Sequence, residues 1–289
     1  MFSCGSYSRL LPAGRVELTR HQVPLSGLAA DFEGLSVLQL SDLHVGPLLR
    51  AGSVRRAVSL SNACQSDLIV LTGDFVNYRS MRYFRTAAPE LAALRARLGV
   101  FACLGNHDHW EGAAEVRAIL EDVGVQVLVN ENRRLAEGLW LAAVDDLMSG
   151  QPDLMRTVAG VPEGAGVVLL SHNPSVLGQV ADRSWLVLAG HTHGGQVALP
   201  FLGPRRTARL PGVRRLMYAW EWLGVRAHRG RVETISGYRY PAGWYQQGQA
   251  RMYVNRGFGF NQNWPVRLNC PPEIACFTLR PDQVGDGPL

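Results

Sequence analysis

The heptapeptide Gly190-His191-Thr192-His193-Gly194-Gly195-Gln196 sets two histidines on a glycine-lined turn just past the apolar run Trp185–Ala189. Neutral imidazole is the commonest metal-binding side chain, and flanking glycines let backbone close around an ion without steric cost. Four further motifs offer partners: Asp42-Leu43-His44, Gly73-Asp74, Gly105-Asn106-His107-Asp108 and Ser171-His172-Asn173. In extended backbone Asp42 and His44, two residues apart, project to the same side and can reach one ion. Asp42, His44, Asp74, Asn106, His172, His191 and His193 form a nitrogen and oxygen donor set with no sulfur, large enough for two divalent ions such as Mn, Fe or Zn. A short aspartate such as Asp74 can bridge two metals, which hydrolytic sites hold ~3.5–4 Å apart. Two divalent cations, two carboxylates and a bridging hydroxide leave about one net positive charge, suited to an anionic phosphate.

These residues need a frame that brings strand ends together. Leu35–Leu40, Asp67–Thr72, Val100–Leu104, Val167–Leu170 and Trp185–Ala189 read as five buried strands, each discharging a metal-competent residue at the same end. Helices are expected over 50–65, 86–98, 111–123 and 174–181, with strands at 16–34 (an edge strand and turn), 125–130 and 139–144. This strand–helix–strand rhythm favours parallel pairing through crossover helices. Asp145-Asp146 either caps a helix over 148–158 or touches the site. Residues 199–247 interleave arginines, among them Arg205, Arg206, Arg214 and Arg215, with aromatic residues and show no clear alternation. Strand character returns at 251–255 and 274–279, and a tail at 281–289 is expected to be disordered.

Composition sets outer bounds. The 289 residues are 47% hydrophobic, enough for a packed core. All 29 basic residues are arginine and the formal net charge is +5, which favours anionic ligands without choosing among them. The five cysteines show no C-x-x-C pair, which argues against a disulfide framework or a structural zinc knot. Neither a signal-peptide core nor ~18 uninterrupted apolar residues is visible, so we expect a cytoplasmic protein.

Taken in order, Asp42-Leu-His44, Gly73-Asp74, Gly105-Asn106-His107-Asp108, His172 and Gly190-His191-Thr-His193 resemble the signature of calcineurin-like metallophosphoesterases. Leu199–Pro204 and Arg267-Leu-Asn-Cys-Pro-Pro-Glu273 extend the likeness, over most of the chain, to the YkuE/YaeI-like phosphodiesterase branch. Members of this branch often begin with a membrane-anchoring helix, which is not evident here. Arg256–Asn261 stands where relatives usually carry a glycine-leucine-glycine-threonine loop.

The resemblance implies an α/β fold, a four-layer α/β/β/α sandwich of two mixed sheets, in a single domain over 1–280 with 199–247 as an insertion or cap. It implies that Asp42, His44 and His193 hold one metal, Asn106, His172 and His191 the other, and that Asp74 bridges. His107 would contact the phosphoryl oxygen or protonate the leaving group, oriented by Asp108. His109 would be a bystander, and His21 and His228 lie outside every motif. The implied activity is phosphodiester hydrolysis by in-line attack of a metal-bridging hydroxide. The alternatives are a UDP-2,3-diacylglucosamine pyrophosphatase-like hydrolase of lipid pyrophosphates and a catalytically silent metal-binding protein. The basic, aromatic 199–247 stretch suggests peripheral contact with an anionic membrane. No specific nucleic-acid binding is expected.

Overall fold

A computed structural model describes residues 16–199, 202, 207, 210, 212, 239–260 and 266–282. Most of the expected insertion, including Arg205, Arg206, Arg214, Arg215 and His228, lies outside the described residues, as do 283–289 of the expected tail.

Two mixed six-stranded sheets form the frame. The first runs β1 (Glu17–Leu25), β12 (Glu273–Pro281), β2 (Ser36–Leu40), β3 (Leu68–Thr72), β4 (Val100–Cys103) and β5 (Gln126–Val127). Its β2, β3, β4 and β5 are parallel, and β12 enters antiparallel to β2. The second runs β10 (Gly243–Gln247), β11 (Ala250–Val254), β9 (Leu186–Ala189), β8 (Gly166–Ser171), β7 (Leu139–Ala143) and β6 (Glu131–Ala136). Here β11, β9, β8 and β7 are parallel, with antiparallel β10 and β6 at the edges.

Side chains alternate across each strand, and the apolar runs fill both faces. Val37, Leu68, Val70 and Phe101 of the first sheet meet Leu141, Val168, Leu170 and Leu188 of the second in the layer between the sheets. Their neighbours Leu38, Leu40, Ile69 and Leu71 face outward, against Val54 and Val58 of α1 (Ala51–Asn62), Phe84 of α2 (Met81–Ala87) and Leu120 of α3 (Asn106–Asp122). On the outside of the second sheet, Leu169 and Val187 pack on Val176 and Leu177 of the 3-10 turn Pro174–Gln179. The α/β/β/α sandwich therefore follows from runs that are apolar on both faces.

Several elements depart from expectation. The helix placed at 86–98 is α2 followed by a 3-10 helix, Ala88–Ala93. Pro89 supplies no N–H and its ring would clash with the carbonyl four residues earlier in a continuing α-helix. The helix placed at 111–123 begins five residues sooner, at Asn106, and kinks at Gly112, where φ is 118°. Only Leu154–Thr157 of the expected 148–158 helix forms, as α4, capped by Asp153, which accepts from the Arg156 N–H at 2.9 Å. Strands β6 and β10 were not anticipated, because edge strands with mixed polar faces lack the apolar alternation that marks buried ones.

Candidate metal centre

The ligand-bearing loops leave the carboxyl ends of β2, β3, β4, β8 and β9, so two sheets contribute to one site. Their backbone is not the extended form expected for Asp42-Leu43-His44. Asp42 (φ 54°), His44 (46°), Asp74 (55°), His191 (73°) and His193 (51°) are all left-handed. Such residues cost on the order of 1 kcal/mol each and persist where surroundings over-determine them. Here the loops lace to one another: Asp42 N donates to Gly73 O at 3.0 Å, His44 N to Asp74 O at 2.9 Å and Val45 N to Phe75 O at 2.9 Å. Close approach also demands glycine at two positions. A Cβ on Gly105 would overlap the Asp74 carboxylate, and one on Gly190 would overlap Ser41 Oγ.

All seven predicted donors converge. On one side, His44 Nε2 lies 2.9 Å from His193 Nε2 and 3.9 Å from Asp42 Oδ1, with His193 Nε2 3.4 Å from the same oxygen. On the other, Asn106 Oδ1 is 2.9 Å from His191 Nδ1 and 3.2 Å from His172 Nε2. Asp74 Oδ2 stands between the groups, 3.4 Å from His44 Nε2 and 3.2 Å from His172 Nε2. Its other oxygen is fixed by the His107 N–H at 2.9 Å.

The donor set fits cations. His172 Nδ1 lies 2.8 Å from the Thr72 carbonyl, which fixes the hydrogen on Nδ1 and leaves Nε2 of the neutral ring a lone pair. That lone pair faces two further acceptors, Asp74 Oδ2 and Asn106 Oδ1, with His191 Nδ1 3.2 Å away. Buried acceptors crowded at these distances repel one another unless a positive charge joins them. Among the described residues, Asp42, His44 and His193, and likewise Asp74, His172 and His191, each bring three donor atoms within 4.8 Å of one another.

The electrostatics agree. Burial, reinforced by neighbouring positive charge, lowers the His44 and His193 imidazoles well below their ordinary value and takes His191 to about 3. These three stay neutral and able to ligate. Burial would also lower His172, but the Asp74 carboxylate outweighs it and raises that ring, so without metal a proton holds the place between them. Burial pushes Asp42 up to about 6, against the hydrogen bonds it accepts from Ser41 Oγ at 2.5 Å and His191 N at 3.1 Å.

His107 sits in the first turn of α3, its ring centroid 4.7 Å from that of His44 and 4.6 Å from that of Trp110. Asp108 differs from the expected partner of the His107 ring. Its Oδ2 accepts from Gly105 N at 2.8 Å and Asp74 N at 2.9 Å, and its Oδ1 from Phe75 N at 2.8 Å and Val76 N at 3.3 Å. It is a brace between two ligand loops, because a buried carboxylate can accept four converging N–H groups. His109, expected to be a bystander, bonds Asp145 Oδ1 through Nε2 at 2.7 Å. Asp145 and Asp146 accept turn N–H groups, Gln151 N at 2.8 Å and Ser149 N at 2.7 Å, so they cap a turn rather than a helix. His21 lies apart, ringed by Trp244, Tyr253 and Phe277.

A polar chain that the sequence alone does not announce runs beneath the site. Gln39 Nε2 donates to Thr72 Oγ1 and to the Ala189 carbonyl, both at 2.9 Å, and so joins the two sheets. Thr72 Oγ1 donates to Ser41 Oγ at 2.7 Å, and Ser41 to Asp42. A polar Gln39 inside the run Leu35–Leu40 was the available signal.

Residues 35–195 match the calcineurin-like phosphoesterase family. The chain is 32% identical over 281 residues to the metallophosphoesterase YkuE of Bacillus subtilis, covering 95% of this chain and 89% of that one. It is 29% identical over 282 residues to the phosphodiesterase YaeI of Escherichia coli, covering 94% and 92%. To the UDP-2,3-diacylglucosamine pyrophosphatase LpxG of Chlamydia muridarum it is 25% identical over 312 residues, covering 90% and 88%.

Proposed function

The chain belongs to the calcineurin-like phosphoesterase family, and from that membership we propose that it is a phosphodiesterase with a dinuclear metal centre. The observation that carries the reading is the single oxygen, Asp74 Oδ2, facing His44 on one side and His172 on the other while Oδ1 is held by backbone. Asp42, His44 and His193 would hold one divalent cation, Asn106, His172 and His191 the second, and Asp74 both. Manganese, iron and zinc all suit these donors. Such a pair of cations supplies charge neutralisation at the phosphoryl group and an activated water.

The chain's own residues then have separable tasks. Ser41 and the His191 N–H fix the Asp42 carboxylate. The Thr72 carbonyl sets the tautomer of His172. His107, at the amino end of α3 beside His44, would contact a phosphoryl oxygen or give a proton to the leaving alkoxide. Asp108 keeps the Asp74 and Gly105 loops in register.

Likeness to LpxG over 90% of the chain favours a second reading of the substrate, a lipid-linked pyrophosphate such as UDP-2,3-diacylglucosamine. Peripheral contact with an anionic membrane from the cytoplasmic side belongs to the same proposal. Its support is the composition of 199–247. Among the described residues no helix is long and apolar enough to cross a membrane. One domain over 1–280, with 199–247 as a cap, is likewise proposed.

The test is turnover of bis-p-nitrophenyl phosphate against p-nitrophenyl phosphate with added Mn²⁺, repeated after chelation. Diester turnover that disappears with the metal is expected. Hydrolysis of the monoester alone would exclude the diesterase reading, and two bound metals with no turnover of any ester would make the protein a silent metal binder. Screening lipid pyrophosphates beside linear and cyclic diesters separates the two substrate readings.

A further inference from the structure

The segment Arg267–Glu273, prominent in the sequence, has no part in the chemistry above, yet it runs behind one half of the metal centre. Arg267 is only 8% exposed. Its guanidinium faces backbone carbonyls: Nε donates to Gly259 O at 2.8 Å, Nη1 to Cys270 O at 3.3 Å, and Nη2 lies 2.7 Å from Arg256 O, 3.1 Å from Gly257 O and 2.5 Å from Gly259 O. Among the described residues it forms no ion pair with a carboxylate.

All of those carbonyls except that of Cys270 belong to the loop that backs Asp42. Phe258 N donates to Ser41 O at 2.8 Å and Gly259 N to Asp42 O at 2.7 Å. Gly257 has φ +73°, and a Cβ there would sit 2.7 Å from Asp42 Cβ and 3.2 Å from His193 Nδ1. Arg267 also meets His193 directly, Nη2 standing 3.3 Å from Nδ1. When His193 Nε2 holds a cation, its Nδ1 carries the ring hydrogen, so this approach is then a packing stop that keeps the imidazole from backing away. Cys270 Sγ lies 3.4 Å from His193 O, and Leu268 pairs with the same turn through Gln196 O at 2.9 Å and Ala198 N at 2.8 Å. The other half is braced elsewhere, by Thr72 O on His172 and by the His107 N–H on Asp74.

We propose that Arg267 is a positioning residue for the Asp42–His44–His193 half of the centre, holding His193 and the loop behind Asp42 so that this half alone depends on it for its affinity for a divalent cation. The inference rests on the dinuclear reading. It also fixes a sign. A guanidinium behind a cation site repels the cation, so if its charge were what mattered, removing it would tighten binding. If the fork and its carbonyl cradle matter, removal loosens binding, and lysine, which keeps the charge without the planar fork, cannot substitute.

The experiment is stepwise calorimetric titration of the metal-free protein with Mn²⁺ in wild type, Arg267→Gln, Arg267→Lys and Gly257→Ala, with His44→Ala marking which event belongs to this half. We expect two events in wild type, and in each of the three variants a loss of about 10–100-fold in the event that His44→Ala abolishes, the usual scale for a lost partner of a metal-binding side chain. The other event stays unchanged. Equal weakening of both events, tighter binding in Arg267→Gln, or rescue by Arg267→Lys would overturn the proposal. Should Arg267→Gln fail to fold, Arg267→Lys decides, because it keeps a buried cation without the fork; Gly257→Ala, which leaves Arg267 in place, tests only whether the loop behind Asp42 governs this half. Fewer than two events in wild type would instead overturn the dinuclear reading itself.

Discussion

At the scale of single residues, Asp74 and His107 differ in what their loss removes. Among the described residues Asp74 is the one carboxylate whose oxygen faces donors of both halves, whereas His44 serves one. Asp74→Asn should therefore cost more activity than His44→Ala, and elemental analysis should find one metal or none per chain. Two tightly held metals with a near-normal rate would refute the bridging role. His107 gives its backbone N–H to Asp74, a bond that survives truncation of the ring. His107→Ala should thus keep both metals and slow turnover by ~10²–10⁴-fold, the range for a lost acid or charge-stabilising group. If the ring protonates the leaving group, the loss shrinks as leaving-group pKa falls. A loss constant across such a series would assign it to phosphoryl charge instead.

Among the elements, α3 does most to shape the site. Its first turn carries Asn106, His107 and Asp108 at the site, and beyond the kink at Gly112 the same element packs Val116 and Leu120 into the core. Asp108 ties that turn to the β3 loop through three N–H groups and closes on its own turn through the Gly105 N–H. In Asp108→Asn one carboxylate oxygen becomes an amide NH₂, and the two donors that met it lose their acceptor. Each buried unsatisfied donor costs about 1–3 kcal/mol, so a destabilisation of about 2 kcal/mol or more should appear as a lower denaturant midpoint at unchanged slope. An unchanged midpoint would remove Asp108 from the role of brace and restore it as a candidate partner of the His107 ring.

In the whole molecule, the two sheets are joined by buried polar residues as well as by the apolar layer. Gln39 reaches from β2 to the Ala189 carbonyl. Glu273, 1% exposed, accepts from Thr19 Oγ1 on β1 at 2.8 Å, from Tyr253 OH on β11 at 2.5 Å and from Arg256 Nε at 3.1 Å. Burial opposes its charge, but Arg256 and these hydrogen bonds prevail and hold its carboxyl below the ordinary glutamate range. A depressed carboxyl stabilises the fold at pH above its unfolded value, about 4.3, and that contribution is lost as pH falls through the folded value. The stability gap between wild type and Glu273→Gln should accordingly be widest near neutrality and narrow below about pH 4.3. A gap independent of pH would show that the carboxylate's charge contributes nothing.

What the sequence determined by itself is local in origin. Buried strands are short runs apolar on both faces, and glycine-bounded turns end them, so the five discharge points and the seven candidate donors at them could be named from spacing and residue type. Helix α1 was equally legible, since Val54, Ala57, Val58 and Ser61 recur at helical spacing and are its buried residues. The tertiary structure decided everything that depends on a distant partner. The left-handed turns at Asp42 and His44 exist because the β3 loop laces to them, and no dipeptide preference encodes that. Asp108 became a brace rather than a partner of its neighbour because four N–H groups from two loops converge on it. Arg267, 74 residues from His193 in the chain, meets it only because β11 and β12 carry the chain back past the first loop. Hydrophobic periodicity is written into neighbouring residues, whereas hydrogen-bond partners and buried charges are set by which loops the sheet order brings together.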